Sequence, residues 1–418
     1  MGEVLIVAVS LYAFAMVSAR LSMSPVTAAM VFTTIGLIVG TGGLGWFDLD
    51  LEAESVSIVV EATLVLVLFT DAIRIDLRAL RHQATFPARL LAIGLPLTIV
   101  FGTIVAVLLF DELTWPEAAL LAAVLAPTDA ALGQAVVSNQ RLPVRIRQGL
   151  NAESGLNDGI MVPVVTVLLA IAAAETQSSG YDVWGEFMIR QVGFGLLSGV
   201  VIGLAGGWIL HRRAVANHVE GIYRQLATLA VAAAAFATAE LLEGNGFIAA
   251  FVAGLAFGHI AREQCEGITD FTQDESELLA SSSFLLFGAV VAGPLIDQLD
   301  WQVALYAVAS LTIIRMVPAL IGMTGSGTLL ETRLFVGWFG PRGLASILFA
   351  LFVLEHLDSP NTPTIFLVAT WTVLASIYAH GLTASPWAGH LATRLADAPA
   401  TMPEMHPVEE MPTRRPLP

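Results

Sequence analysis

Residues 151–163 read NAESGLNDGIMVP and set a glutamate, an asparagine and an aspartate (Glu153, Asn157, Asp158) inside an apolar run long enough to cross a bilayer. An ionised side chain at the centre of a bilayer costs roughly 2.5 to 17 kcal/mol across different kinds of measurement, so such groups are retained mainly for work. One segment earlier, residues 126–133 read APTDAALG and place Thr128 and Asp129 beside Pro127, which breaks helices. Two successive broken, carboxylate-bearing apolar segments point to a pathway for a small cation or a proton.

Composition agrees with a membrane setting. With 56% hydrophobic and 13% charged residues and a mean hydropathy of +0.77, the chain is too apolar for a water-soluble domain of 418 residues, and it reads as an all-α polytopic membrane protein. Cys265 is the single cysteine, which excludes an intramolecular disulfide and a cysteine-based metal cluster. No nucleotide-binding glycine motif is present, and neither a cofactor nor a nucleic-acid partner is expected; the expected ligands are a transported monovalent cation and protons.

Apolar runs near the ~20 residues needed to span a bilayer lie at about 2–19, 25–41, 54–74, 89–110, 116–137, 150–173, 186–211, 221–242, 246–262, 277–297, 301–323, 332–355 and 361–388, thirteen in all. The first begins Gly2-Glu3 rather than with a basic region, so it is read as a helix and not as a secretory signal. Residues 1–390 would form the transmembrane domain and 391–418, rich in proline from Asp397 onward, a disordered cytoplasmic tail.

Every one of the 19 basic residues is arginine. With the N-terminus outside, 16 of them fall on the inner side: Arg20, Arg74, Arg78, Arg81, Arg89, Arg141, Arg145, Arg147, Arg212, Arg213, Arg224, Arg262, Arg333, Arg394, Arg414 and Arg415. The opposite loops carry acids such as Asp48, Asp50, Glu52, Asp111 and Glu112, the distribution the positive-inside rule describes. The acidic stretch 263–277 reads as a solvated inner loop. Arg190 stands at the outer end of its helix, whereas Arg315 and Arg342 fall within spans, where a guanidinium that cannot lose its proton needs an anion or acceptors nearby.

Arg342 belongs to GWFGPRGLAS, residues 337–346, where Gly340, Pro341 and Gly343 should interrupt the twelfth span as Pro127 interrupts the fifth. Interrupted helices at corresponding places in two halves are the mark of transporters built from inverted repeats, with spans four to six and eleven to thirteen as the equivalent triplets. Freed helix ends, partly positive at N-termini and partly negative at C-termini, would face one another around an ion.

Five stretches together also resemble a known family. LVLFTDAIRIDLRALR (66–81), APTDAALG (126–133), NAESGLNDG (151–159), NGFIAAFVAGLAFG (245–258) and GPRGLAS (340–346) are similar in order and spacing to the NhaP-type branch of the monovalent cation:proton antiporters. The resemblance implies an elevator-type exchanger, usually a homodimer, in the cell membrane. Its mobile core would be about 89–173 and 301–388, and its static interface domain about 2–74 and 186–297. It further implies Asp158 as the carrier of cation or proton, Asp129 helping to hold the ion with Thr128 and Ser154 as oxygen donors, Asp71 joining through water, and Glu153 paired with Arg342. Where many relatives carry proline after the first aspartate, this chain has Ala130, which leaves the bend of the fifth span open.

The chemistry stands beside the resemblance. A hard monovalent cation favours oxygen ligands, and Asp129, Asp158, Thr128 and Ser154 offer them. A partly desolvated carboxylate with a second one nearby has its proton affinity raised, so a proton and a sodium or lithium ion can compete for it. Because Asn157 cannot ionise, exchange through Asp158 alone would be electroneutral, one for one. Glu153 and Asn157 share one helical face, and Ser154 and Asp158 the next. Glu61 is read either as part of a cation route or as a polar contact between helices, and Arg315 with Pro318 as a packing or bending feature. His259 and His380 are read as residues near span ends, and the small-residue run 193–207 as a packing surface.

Other classes make different demands. A potassium/proton exchanger would use the same site. A cation channel needs a continuous pore, and a membrane aspartyl protease needs a GxGD loop, whereas Asp158 follows GLN.

Overall fold

The computed structural model describes residues 2–21, 24–47, 54–75, 85–129, 132–177, 181–216, 218–399 and 401–408. Ala130, the loop charges Asp48, Asp50, Glu52, Arg78 and Arg81, the side chains of 262–277, and Arg414 and Arg415 lie outside the described residues. Among the described residues there is helix but no strand. The helices are α1 Gly2–Leu21, α2 Ala28–Val39, α3 Glu54–Arg74, α4 Thr85–Arg89, α5 Leu95–Leu109, α6 Trp115–Val124, α7 Gln134–Val137 and α8 Val144–Gln177. The second half continues with α9 Tyr181–Val215, α10 Gly221–Leu241, α11 Gly246–Leu286, α12 Trp301–Leu311, α13 Ile313–Gly322, α14 Leu330–Trp338, α15 Leu344–His356 and α16 Thr362–Leu395. Each apolar run in the sequence includes helical segments, two of them interrupted by non-helical backbone, and eight helical stretches among the described residues are long and apolar enough to cross a membrane.

Local irregularities follow from particular residues. A π-turn at Leu90–Gly94 joins α4 to α5, with Leu95 N donating to Leu90 O. Pro96 explains it, since its ring opposes the carbonyl four residues back and it has no N–H to give. Between α12 and α13 the chain breaks at Thr312 (φ −110°, ψ −91°), which sets Arg315 and Pro318 on a separate short helix.

Close approach of backbones fixes how the helices stack. Gly195, Gly199, Gly203 and Gly207 recur every fourth residue on α9, and a Cβ at Gly199 would lie 2.7 Å from Ala249 O on α11. At Gly203 it would lie 2.7 Å from Ala253 Cα, so the small-residue run is a packing surface, as its composition suggested. On another face of α11, Gly254 and Gly258 meet α3, where a Cβ at Gly258 would stand 2.6 Å from Ile73 O. Asn245 caps α11 by accepting from Ile248 N at 2.9 Å and reaches α8 by donating to Thr166 Oγ1 at 3.2 Å.

The carboxyl-terminal reading needs correction over its described part. Helix α16 continues to Leu395, and Pro403–Met405 form a 3-10 turn in which Glu404 is 1% exposed. The composition is rich in proline and methionine, but Glu404 finds backbone and hydroxyl donors at the start of α14, and these hold the segment against the bundle.

Candidate functional site

Two helices stop and restart at the centre of the bundle. Helix α6 ends at Leu125 (φ −96°, ψ 2°), and the next helix among the described residues begins at Gln134. Helix α14 ends at Phe339 (φ −78°, ψ 61°), and α15 begins at Leu344. The breakers Pro127, Gly340, Pro341 and Gly343 lie in these gaps, and the two gaps cross: Asp129 N donates to Pro341 O at 2.8 Å.

At the crossing each gap supplies the charge that the other's helix end needs. Asp129 Oδ2 accepts from Leu344 N at 2.8 Å and so caps the N-terminus of α15. In the opposite direction, Arg342 Nη1 donates to Ala126 O at 3.0 Å and Pro127 O at 3.3 Å, just beyond the C-terminus of α6. A carboxylate at an N-terminus and a guanidinium at a C-terminus both oppose the helix dipole, and both groups are buried. Gly343 is required by this approach, because a Cβ there would overlap Asp129 Oδ2 and sit 2.6 Å from its Cγ.

The expected pairing of Glu153 with Arg342 is not what the structure contains. Glu153 Oε1 accepts from Arg315 Nη1 at 2.6 Å, with the two side chains 3% and 1% exposed. Geometry explains the choice. The Arg342 guanidinium is turned to the carbonyls of 126 and 127, whereas the Arg315 guanidinium lies against the second gap, where a Cβ at Gly340 would stand 2.7 Å from its Cζ. Arg315 is therefore no mere packing feature; it joins α13, the second gap and α8.

Beside the first gap lies a small group of oxygens. Thr128 Oγ1 and Ser154 Oγ are 3.0 Å apart, and Asn157 Nδ2 donates to Thr128 Oγ1 at 2.6 Å. Thr128, Asp129, Glu153, Ser154, Asn157 and Asp158 are all buried. Ser154 and Asp158 lie four residues apart on α8, so the polar group continues one turn along that helix. Asp71 is half-buried on α3, one turn before Ile75, whose Cδ1 would be 3.8 Å from a Cβ at Gly155. The structure thus brings α3 to the turn that holds Ser154 and Asp158.

His380 also departs from expectation. It lies buried within α16 rather than near a span end, with Nε2 2.9 Å from Trp338 O and Nδ1 3.0 Å from Ser376 Oγ. Ser376 Oγ accepts from Arg342 N at 2.7 Å. The pair reaches both sides of the second gap, from the last residue of α14 to the backbone of Arg342.

Comparison with known proteins places this arrangement. The sequence model of the transmembrane sodium/hydrogen exchanger family matches residues 4–389. The chain belongs to the sodium/hydrogen exchanger family. Among curated relatives, the K+/H+ antiporter NhaP2 of Shewanella oneidensis is 27% identical over 363 residues, covering 84% of this chain and 60% of the relative. The Na+/H+ antiporter 2 of Zygosaccharomyces rouxii is 26% identical over 359 residues, covering 80% of this chain and 43% of the relative. The chain spans no more than about three fifths of the length of these relatives. The sodium/proton antiporter MjNhaP1 of Methanocaldococcus jannaschii shares the fold, with a TM-score of 0.76 at 20% identity over 95% of this chain and all of that one.

Within this exchanger fold, Arg315, Ser376 and His380 are the polar residues that sequence reasoning did not assign to the site. Arg315 did carry a signal, since a permanently charged group in mid-span requires a buried anion. Ser376 and His380 carried a weaker one, a polar pair four apart on an apolar helix.

Proposed function

We propose that this protein exchanges a monovalent cation for a proton across the cell membrane, one for one, with Asp158 carrying either. Sodium or lithium is the first assignment. The observation that carries the reading is the hydrogen-bonded group Thr128, Ser154 and Asn157, gathered beside the crossed helix gaps and one helical turn from Asp158. Thr128 and Ser154 supply neutral oxygens, and Asn157 Oδ1 is a buried acceptor without a protein hydrogen bond, so the group suits a hard cation.

The neighbouring charges support electroneutrality. Glu153 is held by Arg315, while Asp129 and Arg342 are engaged with helix ends. With those groups fixed in charge and Asn157 unable to ionise, competition of proton and cation at Asp158 moves the same net charge in both directions. Asp129 helps to hold the ion, and Asp71 approaches through water from α3.

Alternating access assigns the gap-bearing helices α4 to α8 and α12 to α16 to a moving core, and α1 to α3 and α9 to α11 to a static part. The packing of α9, α3 and α10 on α11, and of α6 on α5 and α8, supports that division. The arginine distribution supports an external amino terminus.

A second reading, potassium for proton, is favoured by the name of the Shewanella relative, which matches over most of this chain. The test uses purified protein in liposomes with an internal pH dye, stepping external sodium with and without valinomycin and potassium to clamp the voltage, and stepping external potassium in the absence of valinomycin. Sodium-driven proton efflux that is insensitive to the clamp and absent in Asp158→Asn supports the first reading. A response to potassium alone supports the second. Silence with both ions from pH 5 to 9 removes the exchanger reading.

A further inference from the structure

The two gap-bearing helices begin in comparable ways, and the comparison gives a role to the carboxyl-terminal segment. At the start of α6, the third helical residue is Glu117, whose Oε2 accepts from the backbone N–H of Thr114, the residue that caps the helix, at 2.9 Å. Glu117 is 2% exposed and also accepts from Ser359 Oγ and, at 2.8 Å, from Asn361 Nδ2. This is a carboxylate at the third position reaching back to the first free amide of its own helix.

At the start of α14 the capping residue is Leu329, and the third helical position is Thr332, which has no carboxylate. The Leu329 N–H nevertheless donates to a carboxylate oxygen, Glu404 Oε1, at 2.6 Å, and Thr332 Oγ1 donates to the same atom at 3.0 Å. Thr332 and Glu404 are 0% and 1% exposed. The charge that α6 holds in its own third residue reaches α14 from 72 residues further along the chain.

The same turn holds a second helix. Arg145, in the first turn of α8, donates from Nη1 to Pro403 O. Gly327, at φ +77°, brings the loop before α14 against Pro403, whose Cγ would stand 3.1 Å from a Cβ there. Residues 403–405 therefore tie the start of α14, which leads to Arg342, to the start of α8, which carries Ser154 and Asp158.

We propose that Glu404 is a positioning residue for transport: it completes the N-terminal cap of the second gap-bearing helix and fixes that helix against the helix bearing Asp158. This rests on the exchange reading above. Glu404 acts on the alignment of α14 with α8 during the transport movement, not on the ion, because the side chains of Thr128, Ser154 and Asn157 are held by one another.

Two measurements on the full-length protein test this together: hydrogen–deuterium exchange of residues 329–333 and cation-driven proton flux in liposomes. Glu404→Ala should speed exchange at 329–333 and lower maximal flux about fivefold, the scale of a lost helix cap. The cation concentration for half-maximal flux should stay within about twofold of wild type. Adding Thr332→Glu, which rebuilds in α14 the arrangement Glu117 has in α6, should restore both slow exchange and flux in the Glu404→Ala background. Unchanged exchange in Glu404→Ala overturns the cap. A shift in half-saturation with maximal flux intact, or restored exchange without restored flux, overturns the positioning role. A wild-type protein with no flux overturns the transport reading and the positioning role with it, and exchange at 329–333 still decides the cap separately.

Discussion

Asp129 and Arg342 reach past one another in opposite directions, the aspartate to Leu344 N on the arginine's side of the crossing and the arginine to Ala126 O and Pro127 O on the aspartate's side. Each satisfies the helix end that the other's gap exposes. The arrangement meets the demand that every backbone polar group at membrane depth find a partner within the protein. Arg342→Met should therefore strand two carbonyls and lower stability by about 2–6 kcal/mol, from roughly 1–3 kcal/mol for each buried group left unpaired. Arg342→Lys should recover only part of this, since an ammonium lacks the planar fork. Thermal unfolding in detergent checks both; a methionine variant as stable as wild type refutes the capping role.

Glu153 and Arg315 should behave as one unit. Removing either charge alone strands the other in the core, a loss of about 3–5 kcal/mol, whereas replacing both by apolar residues of similar volume should cost much less. A double-mutant cycle on thermal stability with Glu153→Gln and Arg315→Met should give a coupling larger than the same cycle with Arg342→Met. The reverse order would restore the pairing of Glu153 with Arg342 that the family resemblance implied.

Glycine replacement separates close approach from mere flexibility. Gly343→Ala forces a Cβ onto the Asp129 carboxylate and should destabilise by about 1–3 kcal/mol as an overpacked site, with loss of transport. Gly389→Ala on α16 meets nothing within 4 Å and should be neutral or stabilising by about 0.5–1 kcal/mol, the ordinary helix preference for alanine. Equal effects in the two variants would mean that the contact at residue 343 is unimportant.

The residues that were legible in the sequence are those whose cost is local. Pro127, Pro341 and the glycines around it announce a broken helix wherever the chain goes, and Asp129, Asp158 and Glu153 announce themselves by being charged in an apolar run. The fourfold spacing from Gly195 to Gly207 likewise declares a packing face. Partnerships were not legible, because they depend on which helices meet. The family resemblance paired Glu153 with Arg342, and only the orientation of Arg342 toward the carbonyls of 126 and 127 leaves it to Arg315. Glu404 sits in a proline-rich stretch with no apolar periodicity, so its place under α14 is visible only once the chain has turned back from α16.

Ser376 and His380 give a last test of how the second gap is held. Ser376 Oγ accepts from Arg342 N, and His380 lies between Ser376 and Trp338 O, so the two polar side chains on α16 span the gap that the backbone of 339–343 leaves without helical bonds. Ser376→Ala removes an acceptor from a buried N–H and a partner from a buried imidazole, and it should lower stability by about 1–3 kcal/mol. Ser376→Thr keeps the hydroxyl and should lie closer to wild type. If the two act through the geometry of the gap, Ser376→Ala and His380→Ala should be non-additive, the double variant losing less than the sum of the singles. Thermal unfolding of the four proteins, with flux measured alongside, checks this; simple additivity would mean that the serine and the histidine hold the gap independently.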